Sequence, residues 1–326
     1  MMERSIGEEI ENRRWSIAAV IPTYNRATLV ERALDSALEQ RRPPDEIIVV
    51  DDGSTDGTAA VVAAYGDQVT LITQPRLGQS RVRNLCVERS RSDYVAFLDS
   101  DDLWDASHLM RMERAIEATD GQGVLYFSDA LSGDPRYAGL TFWGLTGFES
   151  EAPHELRANA DWLFASRHPI INFSVCLMRR DAYLAVGGAE SRLTRRVDTH
   201  LFFKLGLSGP VCAVAGPAAI LMTDDPASVT SVHPEGGETY LDCTVWLYDD
   251  LLRRTGLTRT QRRVLRRRLA DGYWDLARLR GIRAPRETLA SLALAARHDP
   301  MMLTKRLGKG IRRVATTRRV PSVSVE

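Results

Sequence analysis

The 326-residue sequence has no net charge: 43 Lys and Arg are matched by 43 Asp and Glu. That excludes a global field drawing nucleic acid or membrane to the chain, so any such attraction is local. No run of eighteen apolar residues occurs, so no membrane-spanning helix is expected. Cysteine is scarce. Cys86, Cys176, Cys212 and Cys243 are widely spaced and form no CxxC pair, which argues against structural zinc and a disulfide framework and for reduced, buried thiols in a cytoplasmic protein. The opening MMERSIGEEIENRRW carries charges throughout and lacks an apolar core. It does not read as a secretory signal, and residues 1–14 are expected to form a polar leader. There is no GxGxxG after the first apolar segment and no GxxxxGK[ST] anywhere, so neither a dinucleotide fold's glycine turn nor a phosphate-binding loop with its lysine is present. Internal repeats and low-complexity tracts are absent.

Apolar residues make up 44% and charged residues 26% of the chain, close to the globular average and enough for a sizeable core. Ser16 to Ile21 is a short apolar run of strand length. From Thr28 the pattern changes: Leu29, Val30, Ala33, Leu34, Ala37 and Leu38 recur at helical spacing. Thr28 and Glu31 have the spacing of a capping box. Glu46 to Val50 predicts a second strand, apolar throughout as in a strand covered on both faces. A short helix is expected over 59–64, a third strand over 69–73, a helix over 81–89 and a fourth strand over 94–98. This alternation argues a parallel sheet with helices on both faces. Residues 125–240 are less regular, and from about 240 the chain turns helical and basic, with Arg262, Arg263, Arg266, Arg267 and Arg268 interleaved among apolar residues.

In such a sheet, ligands bind beyond the carboxyl ends of the strands. The polar clusters fall there: Thr23-Tyr24-Asn25, Asp51-Asp52-Gly53-Ser54 and Asp99-Ser100-Asp101-Asp102. Three aspartates crowded on one loop repel, and a cation relieves that repulsion. Magnesium and manganese take carboxylate oxygens and keep positions open for substrate phosphate. Either acidic loop alone is an ordinary turn. Both at the strand ends of one sheet point to a site that meets phosphate charge with a metal.

VIPTYNR, EIIVVDDGSTDGT, GQSRVRN and YVAFLDSDD, in that order, resemble the inverting glycosyltransferases of family 2. The resemblance is strong over about 16–105 and weaker to about 230. It implies a GT-A fold, that is, a Rossmann-like, mostly parallel sheet with helices on both faces. The expected organisation is a catalytic domain over 15–240, with a nucleotide-binding half at 15–105 and an acceptor half at 106–240, followed by a helical basic region over 241–326. The implied activity is transfer of a sugar from a nucleotide-diphosphate donor, with a UDP-sugar favoured and Mn2+ or Mg2+ as cofactor. Pro22, Thr23 and Tyr24 would line the base and ribose pocket. Asp51 and Asp52 would hold the uracil or ribose side, Asp52 preferred. Arg83 would lie near the diphosphate or donor sugar, Asp99 nearer the ribose or sugar, and Asp101 would be the direct metal ligand. The family's general base maps onto Asp198 in RRVDTHLFFKL, downstream of RRDAYLAVGG.

Two positions depart from the family pattern. Val197 stands where an acid usually precedes the base, and Asp225 replaces a histidine before Ala227-Ser228-Val229-Thr230, with His233 nearby. Asp198 also has the alternative of capping the following helix, and His200 is expected to pack. Trp143, Trp162, Phe164, Phe173 and Trp246 are candidate faces for an acceptor of one of three classes: natural product, polysaccharide or lipid carrier. Between Lys305 and Arg319 there are seven basic residues and no acid. This tail suits peripheral contact with an anionic membrane and, lacking interleaved aromatics, does not suit nucleic acid. The rival readings are a non-catalytic nucleotide-sugar-binding protein of the same fold and a sugar nucleotidyltransferase, which would need a Gly-rich, basic phosphate loop that VIPTYNRATL lacks.

Overall fold

The computed structural model describes residues 15–158, 163, 171–222, 236–302 and 306. The chain divides into two compact units at residues 232/233. The first unit contains strands β1 (Ile17–Thr23), β2 (Glu46–Asp51), β3 (Thr70–Thr73), β4 (Tyr94–Phe97), β5 (Leu103–Trp104), β6 (Leu125–Ser132), β7 (His154–Arg157), β8 (Cys176–Arg179) and β9 (Val211–Leu221). Its helices are α1 (Val30–Leu38), α2 (Thr58–Ala63), α3 (Gln79–Arg89), α4 (His108–Ala118), α5 (Phe142–Thr146), α6 (Arg180–Ala185) and α7 (Val197–Ser208).

The strands form one sheet in the order β3-β2-β1-β4-β8-β6-β9-β5, with β7 also on β9. The chain steps outward from β1 to β2 and β3, then α3 carries it back to β4 on the other side of β1. The junction of β1 and β4 is therefore a switch point, where the strand order reverses and a crevice opens. Pro22 fits this place. Pairing of β1 with β4 ends at Val20 and Phe97, so the amide that proline lacks is not needed there.

Beyond β4 the direction changes. β8 runs antiparallel to both β4 and β6, β6 and β9 are parallel, and β5 and β7 are antiparallel to β9. The expected Rossmann-like sheet is present: its ladders β1–β2, β1–β4, β2–β3 and β6–β9 are parallel, and short antiparallel pairings, which the sequence did not announce, join β4 to the β6–β9 pair through β8. The irregular middle of the sequence thus continues the same sheet.

Alternating residues of the strands face two helical layers. Ile17, Ala19, Ile21, Ile47 and Val49 pack with Val30, Leu34, Leu109 and Met112 of α1 and α4. The alternate residues Ala18, Val20, Ile48 and Val50 are equally buried, on the side where α3 lies against β1 and β2. One helix start departs from expectation. Thr28 is exposed and caps nothing. Instead the Leu29 and Val30 amides donate to the Arg26 carbonyl, and Asp56 accepts the Ala27 amide. Tertiary contacts with the neighbouring loop replace the local capping box. Cys86, Cys176 and Cys212 are buried thiols and Cys243 is half-buried, none of them in a disulfide.

The second unit comprises helices α8 (Glu238–Leu252), α9 (Arg259–Arg280) and α10 (Pro285–His298). Here a capping box does form, between Thr258 and Gln261 at the start of α9. Of the basic tail only Arg306 is described; it pairs with Asp271 at 2.5 Å, so this cation is engaged by an acid of α9. No described helix is long and apolar enough to cross a membrane.

Candidate donor and active site

The loops after β1 and β2 are one structure. Asn25, in the left-handed region at φ 49°, donates its backbone amide to the Ser54 hydroxyl at 2.8 Å and accepts the Thr55 amide on Oδ1 at 2.8 Å. The Arg26 amide donates to the Thr58 hydroxyl at 2.8 Å. Ser54 in turn bonds through its hydroxyl to Asp51. TYNR and DDGSTDGT therefore build a single rim.

Asp51 and Asp52 are both buried, and their carboxylates hold backbone. Asp52 accepts Gln74 Nε2 at 3.0 Å, the Leu77 amide at 2.7 Å and the Gly78 amide at 2.8 Å. It fixes the loop that leads into α3. Gly53, at φ 77°, lets that loop approach: an added Cβ would sit 3.0 Å from the Arg76 amide. Tyr24 is half-buried under Arg76, whose guanidinium carbon is 4.0 Å from the ring centroid and whose Nη1 donates to the phenol at 3.0 Å. Thr23 Oγ1 is buried and has no hydrogen-bond partner among the described residues.

The third loop separates its aspartates. Asp99 and Asp101 remain half-buried. Asp102 turns inward, accepting the Ser174 hydroxyl at 2.6 Å and the Met222 amide at 3.0 Å. Burial pushes its carboxyl well above the usual carboxylate range, and the charges of Asp99 and Asp101 push the same way against those two bonds. Ser174 is the hub: its hydroxyl also accepts the Asp99 amide at 3.1 Å, and its carbonyl accepts Trp104 Nε1 at 2.8 Å. Nothing in NFSVCLMRR marks this serine in advance.

Arg83, buried on α3, pairs with Asp99 at 2.6 Å. Its guanidinium lies 4.1 Å from the centroid of Phe173, which is itself packed against Phe97 and Phe202. Phe173 is thus a platform for Arg83 and not an acceptor face. Trp143 is likewise corrected to core: it is 5% exposed and clustered edge-on with Phe127 and Phe148, because its amide anchors on Asp129 at 2.9 Å. Trp246 is half-buried on α8 in the second unit. Trp162, Phe164, Asp225 and His233 lie outside the described residues.

Asp198 sits in the first turn of α7, half-buried, and accepts the Thr199 amide at 2.6 Å. Arg196 precedes it in the left-handed conformation, φ 61°. Val197 is buried at 3% exposure, so an apolar contact occupies the position where an acid was expected. His200 is buried, as packing requires. The buried Cys176 thiol reports how these groups gather: burial raises its pKa first, Asp99 and Asp198 add to the rise, and Arg83 opposes it. One interior point therefore feels all three charges.

No group of three or more His, Cys, Asp or Glu suited to a metal occurs among the described residues. Asp99 and Asp101 nevertheless fit magnesium or manganese, which is commonly held by one or two carboxylates plus substrate phosphates. The crowding felt by Asp102 is the repulsion that such a cation would relieve.

The profile of the family described as Glycosyl transferase family 2 matches residues 18–183, just over half of the 326-residue chain. An uncharacterized Mycobacterium tuberculosis protein, MT1568, is 30% identical over 207 residues, covering 61% of this chain and 64% of that protein. The succinoglycan biosynthesis protein ExoO of Rhizobium meliloti is 38% identical over 122 residues, covering 37% and 35%. The chain thus spans less than two thirds of the length of these relatives. Among solved structures, S. aureus TarS 1–349 in complex with UDP-GlcNAc superposes with a TM-score of 0.67 at 17% identity, over 88% of this chain and 82% of that one. A Pyrobaculum calidifontis mannosyltransferase, in complex with GDP-Man and Mn2+, gives 0.57 at 19% identity, over 96% and 87%. At these identities the likeness is one of fold.

Proposed function

The chain belongs to glycosyl transferase family 2, and from that premise we propose that it transfers a sugar from a nucleoside diphosphate donor, a UDP-sugar, to an acceptor hydroxyl or amine with inversion at the anomeric carbon. The observation that carries this reading is the ion pair of Arg83 with Asp99 at the β1/β4 switch point, with Asp101 on the same loop. The catalytic domain is placed in the first compact unit, so its expected end at 240 moves back to 232, with donor recognition in 15–105 and the acceptor side from 106 on; the helical second unit follows.

Pro22, Thr23 and Tyr24 line the base and ribose pocket, and Thr23 brings a hydroxyl with unused capacity. Asp51 and Asp52 shape its floor through the rim and the 74–78 loop, and Asp99 faces the ribose or sugar. Asp101 would be the direct ligand of Mn2+ or Mg2+, which when bound neutralises charge on the diphosphate leaving group. Arg83 supplies a cation on the same side, stacked on Phe173 and paired with Asp99, and such a charge is worth most where water is excluded. Asp198 accepts the acceptor's proton as general base. Its bond from the Thr199 amide uses one carboxylate lone pair and leaves the second oxygen for that proton. UDP-GlcNAc and GDP-Man are both bound by proteins of this fold, TarS and the Pyrobaculum calidifontis mannosyltransferase respectively.

The test is UDP release from UDP-GlcNAc with Mn2+, in wild type and Asp198→Asn. Release that is lost in the variant while UDP still binds supports a base at 198; equal release in both removes it. The buried Val197 favours a second reading, a nucleotide-sugar-binding protein without turnover. Tight UDP binding with no release from wild type would select it.

A further inference from the structure

GQSRVRN does more than supply Arg83. On α3, Val82, Cys86 and Val87 are buried on the helix that packs on β1 and β2. Gln79 and Arg83, and Ser80 and Asn84, form two adjacent i, i+4 pairs. All four are spent on specific partners. Ser80 Oγ donates to the Glu190 carbonyl at 3.0 Å. Asn84 Nδ2 donates to the Ala189 carbonyl at 2.9 Å, and its Oδ1 accepts the Ala189 amide and the Tyr183 hydroxyl, both at 2.7 Å. Gln79 Nε2 donates to the Thr194 carbonyl at 2.9 Å, while its Oε1 accepts Arg83 Nη1 at 3.3 Å.

One amide therefore joins two sides of the site. Asp99, Arg83, Gln79 and the Thr194 carbonyl form a continuous chain of polar contacts, and Asp198 follows four residues after Thr194. Ser80 and Asn84 anchor the start of that segment to the same helix. We propose that Gln79 is a positioning residue that sets the 189–199 segment, and with it Asp198, according to where Arg83 sits. The proposal rests on the donor-site reading above. A cation or diphosphate at Asp99 and Asp101 competes for the Arg83–Asp99 pair. When Arg83 shifts toward the diphosphate, the Gln79 carbonyl follows its donor, and the amide group at the other end re-aims the Thr194 backbone. The hydrogen bonds of the Ser80 and Asn84 side chains go to Glu190, Ala189 and Tyr183 and not to Arg83, so they hold the segment without reporting on the donor.

The experiment is hydrogen exchange of the backbone amides in 189–199, with and without UDP plus Mn2+, on wild type, Gln79→Met and Ser80→Ala, together with UDP affinity for each. Met fills the space of Gln without its hydrogen bonds. The expected result is UDP affinity within about threefold of wild type in both variants, with nucleotide-induced protection of 189–199 present in wild type and Ser80→Ala and lost in Gln79→Met. Protection that persists in Gln79→Met overturns the proposal. So does a tenfold or greater loss of UDP affinity in that variant, which would make Gln79 a donor contact. Absence of UDP binding to wild type would instead overturn the donor-site reading itself, and this inference with it.

Discussion

From β1 to β4 the strands run parallel, and each polar motif begins where an apolar run stops; from β5 to β9 the same sheet continues with strands of both directions and few such punctuation marks. The first half positions its chemistry with side chains that sit in the loops themselves. The second half positions Asp198 with borrowed contacts, chiefly from α3. The lesson is that a parallel α/β half advertises its site in sequence, because the switch point forces ligand-facing residues onto strand ends. A mixed half hides its site, because its geometry is set by partners far away in the chain.

The largest expected effects test whether the two halves share one reaction. Asp101→Ala should lower transfer by roughly a hundred- to a thousandfold, the usual cost of removing one preorganised electrostatic group. Asp198→Asn, in the other half, should cost a comparable factor, within the roughly hundred- to ten-thousandfold range of general bases. Steady-state rates with a fixed donor and Mn2+ check both. A large loss for Asp101 alone would split the halves and leave the acceptor side without its base.

A smaller effect probes how the second half is held. Gly188 lies at φ 58°, and an added Cβ would stand 2.4 Å from Asn84 Oδ1. Gly188→Ala should therefore cost roughly 1–3 kcal/mol from backbone strain, and more through displacement of Asn84. Urea unfolding measures it; an unchanged midpoint would show that the α3 anchor does not constrain this turn.

The smallest effect concerns His108, at the start of α4. It is fully buried against Trp104, and neither ring nitrogen has a hydrogen-bond partner among the described residues. Burial first, and the Arg111 charge after it, drive its pKa down to about 3 against the opposing charge of Asp105. The folded protein keeps this ring neutral, whereas the unfolded chain protonates it below about 6.5. Between pH 6.5 and 3 the unfolded state thus binds more protons, and stability falls as pH falls through that window. Above pH 6.5 the contribution is flat. His108→Leu should remove this slope and raise stability by about 1 kcal/mol by ending two unmade hydrogen bonds. Denaturation midpoints at pH 7 and pH 5 in both proteins give the answer; equal pH slopes would show that His108 is not its source.

Of the fold, β1 through β4 and the helices between them were legible to within about two residues, since long apolar runs and helical periodicity dictate them locally. The antiparallel insertion of β8 between β4 and β6 was not, because Cys176–Arg179 carries no pattern distinguishing a central strand from any short apolar run. Of the candidate site, the gathering of Arg83, the Asp99–Asp102 loop and the paired rim motifs at one edge of the sheet was readable from order and spacing; the roles of the individual residues are proposals. Asp102 was not separable from its neighbours, since its inward turn depends on Ser174 and Met222, 72 and 120 residues away. Trp143 and Phe173 misled for the same reason: an aromatic face is exposed or covered by what packs on it. The signal that could have exposed the α3 anchor was present in GQSRVRN, where polar residues repeat at i, i+4 on a helix that also packs on the sheet.

The central claim is that the carboxyl ends of β1, β2 and β4 form a metal-assisted nucleoside diphosphate site. A thermal-shift comparison of UDP, GDP, dTDP and CDP, each with and without Mn2+, on wild type and Asp101→Ala, tests it most directly. Ligand at a hundredfold excess over its dissociation constant stabilises the folded state by about 2.7 kcal/mol. The account predicts that UDP raises the midpoint with Mn2+ present, and that Asp101→Ala abolishes the shift. No shift with any nucleotide, or an equal shift in Asp101→Ala, would contradict it.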